Sequence, residues 1–222
     1  MSKKVIIVGG EGNGGVAVSC IQDMRRRYGL MEYEVYGWLH DFEEKGKIIT
    51  GFPVLGKLAD IKPFLEKDFY FIYAIHSIAH APLRIKLFNS LNIPDEKLVT
   101  LVHPLSFIGE GVELGPGTMV MANCYIGPAV KLGKCVFVMA NSIIGHNTTV
   151  GSFSHLSAGS VTSSYIKIGE GVDIALNATV LEKLTIGNYS VVGAGAMATK
   201  DIPERTVVVG NPARVLKTVE DS

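Results

Sequence analysis

Residues 126–151 read IGPAVKLGKCVFVMANSIIGHNTTVG, and every sixth side chain from Ile126 is aliphatic: Leu132, Val138, Ile144 and Val150 follow. The count continues without an insertion in both directions. It runs back through Val120 and Leu114 to Ile108, and on through Leu156, Thr162, Ile168, Ile174, Val180, Ile186 and Val192 to Ala198. Fourteen of these sixteen positions hold aliphatic β-formers. Two residues ahead stands a small or branched side chain, as at Ser106, Val112, Thr118, Cys124, Val130, Val136, Ser142, Thr148, Ser154 and Ser160. Glycine follows the aliphatic residue at 109, 115, 127, 133, 145, 151, 169, 187 and 193, where a turn with permissive backbone geometry is expected.

A period of six fits neither a helix of 3.6 residues per turn nor a long strand of period two. Short strands bent at regular corners satisfy it. Three hexads make one coil, the aliphatic and small residues fill its interior, and coils stack ~4.8 Å apart by strand pairing. This is the hexapeptide form of parallel β-helix. The span 108–198 supplies five coils, closed at the C-terminal end by the tail 201–222.

Ahead of the repeat the composition changes. Residues 1–100 carry 25 charged side chains and 12 of the 18 aromatics, whereas the following 122 residues carry 17 charges. Val5–Val8, Tyr33–Leu39 and Phe69–Ile75 read as strands, and Val16–Tyr28 and Ala81–Leu91 as helices. The reading is therefore an α/β Rossmann-like unit over 1–103 followed by the β-helix over 104–222.

Twenty-one Lys and Arg balance twenty-one Asp and Glu, so charge points to neither nucleic acid nor a membrane surface as partner. The start MSKKVIIVGG is too short in apolar residues for a signal peptide, and no apolar run approaches the roughly 20 residues of a membrane span, so a cytoplasmic protein is expected. Cys20, Cys124 and Cys135 have no metal-type spacing, and the scattered His40, His76, His80 and His103 make no zinc site; no metal is expected. Cys124 and Cys135 sit at or near interior hexad positions, as inert packing.

The hexads, the run Val192-Gly-Ala-Gly-Ala-Met-Ala-Thr-Lys-Asp-Ile-Pro203 and the tail Val209-Gly-Asn-Pro-Ala213 resemble the left-handed β-helix acyltransferases. With an α/β unit opening VIIVGGEGNGG, the whole chain resembles the NeuD/PglD-type sugar acetyltransferases of bacterial surface-glycan synthesis. That resemblance implies a left-handed coil, a homotrimer, and acetyl-CoA as co-substrate between adjacent β-helices. It further implies direct acetyl transfer to the amine of a UDP- or TDP-linked 4-amino-4,6-dideoxyhexose, without a covalent enzyme intermediate.

Within Ile144-Gly-His-Asn-Thr-Thr-Val-Gly151 the resemblance makes His146 the general base. Asn147 stands where the family commonly has a carboxylate, and Met139 where it has an asparagine; these departures favour an amine acceptor over a hydroxyl. His155, nine residues on, is implied to contact acetyl-CoA. Half a coil separates the two histidines, so on one chain they project from different sides and a neighbouring subunit completes the site. Both fall at outward hexad positions, apart from the apolar column. Ser164, one coil beyond the base, is implied to offer its backbone N–H to the oxyanion, and Leu176, Gly193, Ala194 and Gly195 to line the CoA path. Lys200, Arg205 and Arg214 are cations within reach of CoA phosphates or simply solvated.

In the first unit, Gly10-Glu-Gly-Asn-Gly-Gly15 follows a strand and precedes a helix, the setting of a phosphate cradle. With about 100 residues and no second mononucleotide half, the unit does not read as an NAD site. The resemblance implies that Glu11, Gly12 and Asn13, then His40 and Asp41 after the second strand, and His76 after the third, hold the nucleotide sugar. The Arg25-Arg26-Arg27 run reads as a helix end stabilised by its dipole. Two other functions fit the same sequence: O-acetylation of sialic acid or another glycan sugar, and a β-helix scaffold impaired in catalysis, suggested by Asn147 and Met139.

Overall fold

The computed structural model describes residues 2–219. These form two compact units, one of residues 2–75 with Lys86–Val99, the other of His76–Ile85 with residues 100–219.

The first unit contains β1 (Lys3–Val8), α1 (Glu11–Tyr28), β2 (Tyr33–Leu39), β3 (Ile48–Ile49), β4 (Phe52–Gly56), α2 (Lys62–Leu65) and β5 (Phe69–Tyr73). Its sheet has the order β3-β4-β2-β1-β5 and is parallel except for the β3–β4 pair. The central run Val5–Val8 is fully buried, as the inner strand of a parallel sheet requires. Helix α1 begins at Glu11 rather than at Val16, so the glycine-rich stretch is the first turn of the helix and not a loop before it; Gly14 N–H already donates to Gly10 C=O at 3.2 Å. Gly14 has a packing reason: a Cβ there would run into the ring of Trp38 and Cγ2 of Ile7. The helix stops at Gly29 (φ 67°), with Arg25, Arg26 and Arg27 in its last turn. The short strands β3 and β4 escaped the periodicity reading because two residues and a Pro-containing pentapeptide carry too little pattern.

The second unit is the left-handed parallel β-helix. Its strands are two residues long and pair with those 18 residues away, so that Tyr125–Ile126 lies between Phe107–Ile108 and Ile143–Ile144. The ladder starts at Leu101–Val102, one hexad before Ile108, and the aliphatic positions with their small partners form one buried column. Ile202, Val208 and Ala213 pack on its end; Thr206–Val209 extends one sheet in parallel and Arg214–Thr218 turns back antiparallel to it. Of the tail expected to close the column, residues 220–222 lie outside the described residues.

The corner glycines serve a purpose other than the one expected. The left-handed residue of each corner comes three positions after the aliphatic side chain, for example Asn123, Ala129, Asn141, Asn147 and Asn177, with φ between 55° and 62°. The glycine directly after the aliphatic residue is instead required by the neighbouring coil: a Cβ on Gly127 would stand 2.7 Å from His146 N, and one on Gly109 2.5 Å from Pro128 N. Stacking, not backbone torsion, selects glycine there.

The three outer faces differ. One carries Phe107, Tyr125, Ile143, Val161, Thr179 and Met197 outward and is largely apolar; a second carries Glu113, Lys131, Thr149, Lys167 and Thr185. On the third, the outward residues Leu101, Met119, Phe137, His155, Asp173 and Val191 are all buried. Segment His76–Ile85 lies against the middle of that face, through His76 on Phe137 and His155, and through Ala79 and Arg84 on Asp173.

Candidate active site

The corner between the apolar and the charged face holds His146. Its imidazole is exposed, with Nδ1 2.9 Å from Asn147 Oδ1 and the ring edge-on to Tyr165 at 5.1 Å between centroids. An amide oxygen only accepts, so Nδ1 carries the proton and the Nε2 lone pair faces outward. Asn147 also fills the left-handed corner position (φ 56°), a conformation asparagine tolerates well. One residue thus orients the ring and turns the chain. Ser164 occupies the same corner one coil on, where Tyr165 N–H donates to His146 C=O at 3.0 Å.

Leu176 and the Gly193-Ala194-Gly195 stretch meet at a different corner, between the covered face and the apolar face. Gly195 N–H donates to Leu176 C=O at 2.8 Å, Leu176 and Ala194 are exposed, and Gly195 (φ 65°) has open space where a Cβ would be. The structure therefore groups His146 with Ser164, and Leu176 with residues 193–195, on opposite edges of the apolar face. Further along, Lys200 and Arg214 line a cleft of about 290 Å³, whereas Arg205 lies over the Tyr189 ring at 5.3 Å.

His155 points outward from the column, as its hexad position requires, yet is only 4% exposed. Its ring stacks on Phe137 at 5.4 Å and lies 5.6 Å from that of His76. Burial, aided by the charge of Arg84, pushes its pKa down to about 4, so the ring is neutral at physiological pH. Neither ring nitrogen has a hydrogen-bond partner among the described residues, an arrangement rare for buried polar atoms.

In the first unit, Glu11, Gly12 and Asn13 form the first turn of α1, the helix end whose N–H groups suit an anion. His40 is buried beside it. Nδ1 accepts Phe42 N–H at 3.1 Å, which leaves the proton on Nε2, and a Cβ on Gly10 would stand 3.5 Å from that nitrogen. Asp41 is committed elsewhere: its carboxylate accepts Leu58 N–H at 2.9 Å and its carbonyl accepts from Lys57 Nζ. His76 belongs to the second unit, against Phe137 and His155.

No family model matches the sequence, and no curated protein matches it. Solved structures do. The chain is 25% identical to PerB from Caulobacter crescentus, crystallised with CoA and GDP-perosamine, covering 98% of each chain at a TM-score of 0.80. It is 26% identical to the acetyltransferase domain of PglB from Neisseria gonorrhoeae in complex with acetyl coenzyme A, covering 97% of this chain and all of that one at 0.83. WeeI from Acinetobacter baumannii, 23% identical, shares the fold at 0.70. The chain shares its fold over nearly its whole length with these sugar acetyltransferases.

Two residues of this acyltransferase stand outside the motifs quoted from its sequence. Asp173, 1% exposed, receives Arg84 Nη2 at 2.9 Å and Ala79 N–H at 2.8 Å. Arg84 also donates to Phe153 C=O at 2.9 Å and to Ser77 C=O at 2.6 Å. The sequence signal was an acid at an outward position within an apolar repeat, legible only once a partner is known to cover that face. Among the described residues no group of three or more His, Cys, Asp or Glu side chains is arranged to hold a metal, and no helix is long and apolar enough to cross a membrane. The three cysteines are buried; burial pushes the Cys20 thiol up to about 12 and raises that of Cys124, away from the reactive thiolate.

Proposed function

We propose that the protein transfers the acetyl group of acetyl-CoA to the amine of a nucleotide-linked amino sugar of the 4-amino-4,6-dideoxyhexose type, carried on UDP or TDP. The observation that carries this reading is the full-length likeness to an enzyme holding CoA and GDP-perosamine. In the proposed step the sugar nitrogen attacks the thioester carbonyl while Nε2 of His146 takes its proton. The backbone N–H of Ser164 steadies the oxyanion, and collapse of the tetrahedral adduct expels the CoA thiolate, which regains a proton from the imidazolium. Asn147 Oδ1 keeps the reacting tautomer in place. Leu176, Gly193, Ala194 and Gly195 take the pantetheine arm, and the orphaned nitrogens of His155 offer polar contacts to the donor. The first turn of α1, with Glu11, Gly12 and Asn13, and Nε2–H of His40 suit the diphosphate.

The proposed working unit is a homotrimer. Phe107 and Tyr125 stack 5.1 Å apart on the apolar face, and with Ile143 they remain exposed on the single chain. A cyclic assembly that buries this face brings the His146 edge of one copy to the Leu176 and Ala194 edge of the next. Acetyl-CoA turnover measured against UDP-, TDP- and GDP-linked amino sugars and free sialic acid tests the reading. Turnover with a nucleotide-linked amine is expected; turnover with free sialic acid alone, or no acetyl-CoA binding by the assembled protein, overturns it.

A further inference from the structure

On the covered face, Asp173 stands directly in register with His155 on the neighbouring strand, and Phe153, two residues before His155, ends the preceding corner. The single guanidinium of Arg84 reaches both. It bonds the Asp173 carboxylate on one side and Phe153 C=O on the other, and ties Ser77 C=O to the pair. His76, one residue before Ser77, lays its ring against His155 and Phe137, so that the three rings contact one another with centroids 5.2 to 5.6 Å apart.

We propose that Arg84 and Asp173 are positioning residues for His155, holding its ring at the angle from which it meets the acyl donor. This rests on the reading of His155 as a donor contact. Three observations support it. The hydrogen bonds of Arg84 tie the corner residue Phe153, two positions before His155, to Asp173, which pairs with His155 on the next strand, and so fix the backbone on which the ring is mounted. The same guanidinium fixes the chain that carries His76, the ring packed against His155, and so sets the stack from above as well as from below. Finally, stability alone does not call for a buried ion pair, since apolar replacement of such pairs is often neutral or stabilising. Placed on a face whose other outward residues beside His155 are Leu101, Met119, Phe137 and Val191, the pair specifies an arrangement that an apolar contact would leave loose. The positive charge of Arg84 also disfavours protonation of the imidazole, which keeps it able both to accept and to donate.

The test compares Arg84→Met/Asp173→Leu, Arg84→Lys and His155→Asn in the full chain. Acetyl-CoA affinity is read by calorimetry, folding by thermal melting, and the imidazoles by nitrogen-edited NMR, with His155→Asn supplying the assignment. The Met/Leu double variant is expected to melt at or above the parent temperature, to bind acetyl-CoA at least tenfold more weakly, and to shift or broaden the His155 ring signals. Arg84→Lys keeps the charge but loses the fork; it is expected to weaken binding several-fold with folding intact, and it decides the matter if the double variant does not fold. Parent-like acetyl-CoA affinity in whichever of these folds, alongside lost affinity in His155→Asn, overturns the positioning role and leaves the reading of His155 standing. Parent-like affinity in His155→Asn overturns that reading and this proposal together.

Discussion

The burial of His155 predicts a pH dependence of stability that can be assigned to one ring. Burial first and the Arg84 charge second hold its pKa at about 4, against 6.5 for an unhindered histidine. Between those two values the unfolded chain binds more protons than the folded one, so stability rises with pH across the window, is complete above pH 6.5, and is lost as pH falls toward 4. Each pH step of one across this window is worth about 1.36 kcal/mol, so the ring accounts for about 3 kcal/mol between the two ends. Replacing it by leucine, of similar bulk and without a titrating group, removes that contribution. Asp173 acts in the opposite sense: burial raises its carboxyl, opposed by Arg84, so the folded form takes up its proton more readily and gains stability in acid. It is present in both proteins and drops out of their difference to first order. Urea unfolding at fixed protein concentration, repeated from pH 4 to 7.5, supplies the two curves. The parent is expected to lose about 3 kcal/mol more than His155→Leu over this range. Parallel curves, or an imidazole that titrates near 6.5 by NMR, would refute the argument that the covering segment dehydrates this ring.

The remaining expectations concern the base, the first helix and the apolar face. His146→Ala should lower kcat by roughly 10²- to 10⁴-fold while leaving the circular dichroism spectrum and assembly unchanged, and full turnover by this variant removes the assigned base. Gly14→Ala should destabilise the protein by roughly 1–3 kcal/mol, because the added Cβ meets Trp38 and Ile7. Gly15→Ala, with nothing within 4 Å of the new carbon, should be stabilising by about 0.5–1 kcal/mol; equal effects of the two would show that packing against Trp38 does not govern this turn. Tyr125→Asp, which places a charge beside Phe107 and Ile143, should dissociate the assembly in sedimentation and abolish turnover, and an intact active oligomer would mean that another face joins the copies.

What the sequence disclosed, and what it withheld, follows from how each feature is encoded. The column was legible because a repeat of six multiplies one weak signal, an aliphatic residue, fourteen times in sixteen positions, and the observed register of 18 is its direct consequence. Only Val102, a sixth residue ahead of Ile108, escaped the count. The corner glycines were found but misread: a single chain laid out in order does not show that residue 127 will face the backbone of residue 146 at close range. His146 stood at an exposed corner as expected. For His155 the outward direction was correct, but the chain that covers it comes from residues 76–85, some seventy positions away, and no local pattern announces that contact. The start of α1 at Glu11 was missed because glycines at 12, 14 and 15 have poor helix propensity; packing of Gly14 against Trp38 and Ile7 outweighs it.

One hexad rule yields three faces with three uses because it constrains only the inward residue and leaves the outward one free. Where successive outward residues are Phe107, Tyr125 and Ile143, the face stays apolar and exposed, and its hydrophobic burial is still to be gained. Where they are Glu113, Lys131 and Lys167, the face is solvated, with Lys131 and Glu113 paired across one rung at 2.7 Å. Where they are Phe137, His155 and Asp173, an imidazole and a carboxylate are carried on a surface that another segment dries, and a dry surface is where a ring stays neutral and an ion pair holds geometry. One imidazole, that of His146, therefore stands exposed at a corner, and another, that of His155, lies buried on the covered face. The apolar face lies beside the corner, so whatever buries that face also decides what the imidazole of His146 can reach.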